Sequence, residues 1–408
     1  MTGHRALPVV GVLAAFVLVL AGCQEKLAAP GECPGICPGD RSEIRDTTLL
    51  PVFGRDSTYT GYIAAGQGAS LRLSSGLGGV QERGVVRFVP RPDSVTINAK
   101  QYPYTIDSVA LSVALQARDP AATNLQLVFY RLPSPRTVDS TRTFADIESA
   151  LLPANVIDSV PIPDSLRAGT IRRVFAGADL ARIALPPADS GVLALGLRLS
   201  SSSPTGVRIG SGSAGSLAPS FVTYFTAQIA DTALQRQPPL PRLIAYNGFV
   251  ASVSAPVDNS TITVGGAPSS RALIRFEIPA RLRDSTSIVR ATLELTPVAP
   301  IGGLPADSVA LDIRAVLADL GAKSPRLANI PSQIVIAPLL VGSSDTVRVD
   351  ITSLADLWQP PNRLPTALFI ALQPEGASFT RAVFGSTRNG VAIRLRLTYA
   401  IPFPFETP

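Results

Sequence analysis

RALIRFEIP at 271–279 is the stretch whose reading decides the fold, because RGVVRFVP at 83–90 repeats it. In each copy an Arg, a small residue, two aliphatic residues, a second Arg and a Phe keep the same order. Successive residues of an extended strand face opposite sides, so Ala272, Ile274 and Phe276 form an apolar face while Arg271 and Arg275 line the other. Arg83 and Arg87 repeat the arginine pair. The stretch reads as one central strand, present twice.

Self-similarity continues outward from both copies. Leu193, Leu195 and Leu197 align with Leu368, Ile370 and Leu372 at an offset that also matches Gly210-Ser211 to Gly385-Ser386 and Thr223-Tyr224 to Thr398-Tyr399. Upstream, VALSVAL at 109–115 matches VRATLEL at 289–295. Spacings between these blocks differ only where Gly, Pro and Asp are dense, as loops allow. A repeat this long is a whole domain with its own core, not a solenoid or propeller unit.

Period-two apolar alternation dominates both halves, as in LQLVFYRL (125–132), VLALGLRL (192–199), SVALDIRAV (308–316) and VAIRLRLTY (391–399). Bounded by turn formers, such runs predict half-buried strands. Helical spacing is confined to TFADIESALL (143–152), opened by Thr143 with Asp146 three residues on, ADLARIAL (178–185), and SLADLW (353–358) after Asp350 and Thr352. The fold expected is all-β: two tandem jelly-roll-like β-sandwiches, each with one or two short helices. An immunoglobulin-like sandwich is the alternative; it fits less well because each repeat exceeds about 100 residues and lacks a Cys-Trp-Cys core.

Ahead of the repeats, Arg5 and the apolar run LPVVGVLAAFVLVL (7–20) have the form of an export signal, too short for a comfortable membrane span. The run ends in Leu20-Ala21-Gly22-Cys23, which resembles the lipobox of bacterial lipoproteins. The resemblance implies cleavage before Cys23, acylation of that residue and anchoring in the membrane through its lipid. Gln24 in place of an aspartate implies the outer membrane as the address. Cys33 and Cys37 lie in the Pro/Gly-rich tether that follows. A disulfide between them is the leading reading outside the cytoplasm, with a free or intermolecular pair and a metal site as alternatives. The resulting organisation is a signal peptide at 1–22, a lipidated tether at 23–46, one sandwich at 47–230, a Pro-rich linker at 231–243, a second sandwich at 244–401 and a tail at 402–408.

Composition narrows the function. Of 408 residues, 46% are apolar and 16% charged, which suits packed cores and not a disordered chain. The net charge of +6 is carried almost wholly by scattered arginines, lysine occurring only at 26, 100 and 323, so nucleic-acid partners are not expected. His4 and Met1 are the sole residues of their kinds and fall in the segment expected to be removed. A histidine-free mature chain excludes Ser-His-Asp and Cys-His catalysis and histidine-ligated zinc.

The second repeat resembles the DNRLRE domain of bacterial exported proteins. The resemblance rests on Arg271 to Glu277, Ala291 to Leu295, Leu354 to Trp358 and Leu395 to Tyr399. It covers most of 245–400 and, more weakly, 56–226, where Val89 stands in the acidic position and Ile183 roughly in that of Trp358. It implies a carbohydrate-binding-like module.

Candidate ligand-binding residues are Arg83, Arg87, Arg271 and Arg275, whose forks suit a carboxylate or sugar acid, and Tyr59 and Tyr62 as stacking platforms. The same arginines could equally pair with acids across the sheet, and Trp358 suits a core better than a platform. Asp258-Asn259-Ser260 and Asp345 lack the spacing of a calcium loop, and no metal or cofactor is expected. The function expected is that of a non-catalytic, envelope-anchored lipoprotein whose sandwiches bind extracellular or periplasmic glycan or mediate adhesion. The alternatives are an assembly role in contact with envelope proteins and, more remotely, a two-carboxylate glycosidase.

Overall fold

The computed structural model describes residues 43–61, 68–183, 191–229, 233–252, 258–305, 307–327, 334–391 and 393–401. The expected signal peptide, Cys23, Cys33, Cys37 and Tyr62 lie outside the described residues. Strands dominate the rest, and the fold is all-β and sandwich-like. The alternation seen in the sequence is why: in Arg394–Ile401, Leu395 and Leu397 are buried while Arg394 and Arg396 are exposed.

In the second half, a four-stranded sheet runs Glu43–Leu49, Arg394–Ile401, Ser287–Leu295, Val347–Asp350. The other sheet of this half runs Val335–Leu339, Val309–Ala315, Ala367–Gln373, Ser270–Arg275, Ile262–Gly265, Arg381–Phe384. Ile274, Phe276, Leu293, Leu311 and Leu395 belong to one core cluster that also holds Trp358, fully buried as its amphipathic setting predicted. The helix before Trp358 starts at Thr352, whose amide and hydroxyl both donate to Asp350 Oδ1 at 2.9 and 2.6 Å.

The first half repeats this spatial order with Val156–Pro161, Gln126–Arg131, Leu193–Ser200, Val80–Phe88, Ser70–Leu77, Thr205–Gly210. Its layers are one continuous curled sheet. The 15-residue strand Tyr104–Arg118 pairs with Gly169–Ala176, with Ser220–Ile229 and, near its end, with Thr205–Gly210. Helix Phe144–Ala150 covers the outer face, bringing Ile147 and Leu151 against Val85 and Val128. Thr143 and Asp146 form the expected capping box. Thr143→Ala should therefore cost about 1 kcal/mol in urea denaturation.

The strand pairing crosses the sequence boundaries in a reciprocal way. Ile244–Ala251, expected to open the second sandwich, pairs with residues 82–88 of the first. Ser57–Thr60, expected in the first, pairs with 270–273 of the second. Glu43–Leu49 likewise pairs along Arg394–Ile401, and 233–236 and 240–242 pair along Ser220–Ile229. Each repeat's opening strands thus complete the other repeat's sheets. Periodicity reveals that a segment is a strand but not which edge it joins. The proline-rich 231–243 stretch is accordingly not free linker throughout: Pro241 sits in an added edge strand, where a missing amide is tolerated.

The repeat also slips by one residue at its closing strand. Thr223 is buried at 1%, whereas Thr398 faces outward and donates to Asp46 Oδ1 at 2.5 Å. The constant offset that aligns the earlier leucines places these threonines on opposite faces, because a one-residue shift reverses every side chain.

Two adjacent arginines rivet the halves together. Arg72 and Arg208 are cross-strand partners in the first sandwich. Arg72 Nη1 donates to the carbonyls of Ser378 at 2.5 Å and Gly266 at 3.2 Å, and its guanidinium lies 4.4 Å from the Phe249 ring. Arg208 Nε lies 3.0 Å from Asp307 Oδ1, and Asp307 Oδ2 accepts from the Phe379 amide at 3.2 Å. Gly206 permits this contact, since a Cβ there would come within 2.8 Å of the Phe379 ring.

Candidate functional site

Three of the four predicted arginine forks are closed by acids of their own chain. Arg83, only 1% exposed, donates Nε to Glu148 Oε2 at 2.7 Å and Nη1 to the Ser74 carbonyl at 3.1 Å. Arg271 grips Glu375 bidentately, Nη2 to Oε2 at 2.7 Å. Arg275 does the same with Asp319 at 2.5 and 2.6 Å and donates Nη1 to the Arg55 carbonyl. Those hydrogen bonds hold the Asp319 carboxyl below the usual carboxylate range and push the Arg275 guanidinium up. Arg87 is less enclosed, with Nη1 donating to the Arg136 carbonyl at 2.8 Å.

The arginine face also buries Leu273, with Val316, Ala367 and Phe369 packed beside it and half-buried Tyr59 against that cluster. Tyr59 is therefore part of a packed surface. Tyr104 meets Phe225 edge-on at 5.0 Å and donates its hydroxyl to the Pro92 carbonyl. Among the described residues Phe53, 78% exposed, is the only aromatic that is neither buried nor half-buried. Asp258 is occupied by the amide and hydroxyl of Ser260, which hold its carboxyl below the usual range.

A different set of arginines faces solvent. The outer surface of the four-stranded sheet carries a polar groove of about 550 Å³ lined by Asp46, Thr48, Arg290, Thr292, Glu294, Arg348, Arg396 and Thr398. Strand register assembles it: Thr48 stands across from Arg396, Arg396 from Thr292, and Thr292 from Asp350. In the next row inward along the sheet, Arg394 faces Glu294, and Glu294 faces Arg348. The side chains of Arg290, Arg348 and Arg396 are 66%, 69% and 65% exposed, while Glu294 between them is 11% exposed. Arg348 Nε lies 3.4 Å from Glu294 Oε1 and Arg396 Nη1 3.7 Å, contacts that leave most of each guanidinium open to a ligand.

The groove thus interleaves guanidinium donors with carboxylate and hydroxyl acceptors on a hydrogen-bonded sheet. A polymer rich in hydroxyls and carboxylates satisfies both kinds of group; a polyphosphate, which has no donors, would leave Asp46 and Glu294 facing like charge. Sequence reading missed these residues although their alternation with leucine and valine was visible in RLRL and VRVD. Their convergence depends on pairing between strands more than 40 residues apart, and on an N-terminal strand at one edge.

No family model matches the chain, and no curated protein does. Among solved structures, the tandem CBM22-1-CBM22-2 domain of Paenibacillus barcinonensis Xyn10C is similar over 87% of this chain and 98% of that one. The identity is 8% and the TM-score 0.14, a superposition too loose to bear on function.

Proposed function

We propose that the protein is a non-catalytic, envelope-anchored binding protein that engages an acidic polysaccharide along the outer face of its four-stranded sheet. The observation that carries this reading is the groove in which Arg290, Arg348 and Arg396 stand open around Glu294 and Thr292. The export signal and Cys23 motif support placement at the outer membrane, tethered by lipid. Because the described residues expose little aromatic surface, recognition would depend on charge and hydrogen bonding, so binding should weaken as salt rises.

The test is affinity electrophoresis of the full chain in gels containing polygalacturonate, alginate or neutral dextran. Retardation by the acidic polymers alone is expected. Combining Arg290→Gln, Arg348→Gln and Arg396→Gln should reduce it at least about tenfold, the scale of one lost charge-assisted hydrogen bond. Equal retardation by dextran, or none by any polymer, would count decisively against the reading.

A further inference from the structure

The junction between the sandwiches holds a smaller, partly open cavity of about 210 Å³ that shares no lining residue with the sheet groove. Arg72 and Glu82 line it from the first sandwich, and Pro300, Phe379 and Arg381 from the second. Gly266, Gly302 and Gly303 present bare backbone to it. At this size it is smaller than the roughly 300–1,000 Å³ of drug-sized pockets and suits a single ring.

Its polar groups are incompletely used. Glu82 is 2% exposed; Oε1 lies 2.8 Å from Arg72 Nη2, yet Oε2 accepts no hydrogen bond from any described residue. Arg72 is 1% exposed, with both terminal nitrogens engaged and Nε unpartnered. The guanidinium of Arg381, from the facing sandwich, has no hydrogen bond or ion pair with a described residue. A buried acceptor without a donor costs free energy that a bound group can recover.

The charges select the ligand. Arg72, Glu82 and Arg381 sum to one positive charge, which favours a monoanion over a neutral or cationic guest. Burial pushes the Glu82 carboxyl up while Arg72 opposes the rise. A hydroxyl suits either protonation state, since it can donate or accept. Phe379 and Pro300 supply an apolar wall for a ring face.

We propose that this inter-sandwich cavity binds one sugar-acid residue, its hydroxyls at Glu82 and its carboxylate at Arg381, with Phe379 against the ring. The site goes beyond the polymer groove and shares no residue with it. Because its walls come from both halves, occupancy would hold the sandwiches in their present docking.

Titration calorimetry on the full chain tests this, with galacturonate, glucuronate, mannuronate and galactose as probes. Saturable binding of at least one uronate, tighter than galactose, is expected. Arg381→Gln should weaken the uronate about tenfold or more and leave galactose within about twofold, as loss of one charged partner would. Glu82→Gln should weaken both sugars; if it fails to fold, Arg381→Gln decides alone. The same titrations in the Arg290→Gln/Arg348→Gln/Arg396→Gln chain separate this site from the sheet groove, and Arg172→Gln, exposed on Gly169–Ala176 outside both sites, should change neither sugar. Absence of saturable binding by every uronate, or uronate binding unaltered in Arg381→Gln, would overturn the proposal and leave Glu82 Oε2 to a trapped water.

Discussion

Starting the chain at residue 61 is expected to unfold the second sandwich and leave the first folded. The deleted segment supplies two strands to the second half, Glu43–Leu49 along Arg394–Ile401 and Ser57–Thr60 along 270–273. It also removes Leu49 from the margin of the main core. Asp56, fully buried, accepts from the amide and hydroxyl of Thr387 at 2.8 and 2.7 Å, and its carbonyl accepts from Arg388. Loss of both strands and of Asp56 opens both sheets at once and leaves buried donors unpaired. The first sandwich is closed by 233–251 and keeps every strand. Hydrogen exchange read by mass spectrometry should show protection lost across 270–275, 287–295 and 394–401 and retained across 70–77 and 193–200. Uniform protection in both halves would refute the exchanged pairing.

Arg72→Ala is expected to cost about 3–5 kcal/mol, the range for breaking one side of a buried ion pair. The variant strands the Glu82 carboxylate and removes the donor to Ser378 and Gly266. Arg72→Met combined with Glu82→Leu should recover much of the loss, because two apolar side chains need no compensating charge. The deficit should also depend on pH. Burial already places the folded Glu82 carboxyl above its unfolded value of 4.5, and without Arg72 the gap widens. An acid raised on folding is most favourable below its unfolded value and loses stability as pH climbs through the folded one. The Arg72→Ala deficit should therefore be smallest below about pH 4.5 and grow toward neutrality, as urea titrations at a series of pH values would show. A deficit independent of pH would mean that Glu82 is not left as an uncompensated charge.

Much of the architecture was legible because alternation is local. RALIRF and RGVVRF announced themselves as equivalent central strands, Thr143 and Asp146 announced a helix start, and Trp358 its burial. What was not legible lies in long-range pairing. Arg271 finds Glu375, more than a hundred residues away, and Arg83 finds Glu148 on a helix that covers a face expected to be open. Nothing in the local pattern distinguishes an arginine closed by such a partner from one left free, as Arg348 and Arg396 are more nearly. The same holds for the strands themselves, since Ser57–Thr60 and Ile244–Ala251 carry no local mark of the sheet they enter.

The exchanged strands impose an order on assembly. Glu43 stands opposite Ile401, so the first described strand finds its place only after the last has been made. Synthesis proceeds from the N-terminus, and the first sandwich has all its parts once residue 251 has emerged. Through the remaining 150 or so residues, Glu43–Leu49 and Ser57–Thr60 must wait without a partner, in a closure whose contact separation makes it intrinsically slow. A waiting strand is adhesive toward other chains. The charges of Glu43, Arg45 and Asp46 along this first described strand then act as a guard, discouraging it from joining a neighbour before its own sheet exists.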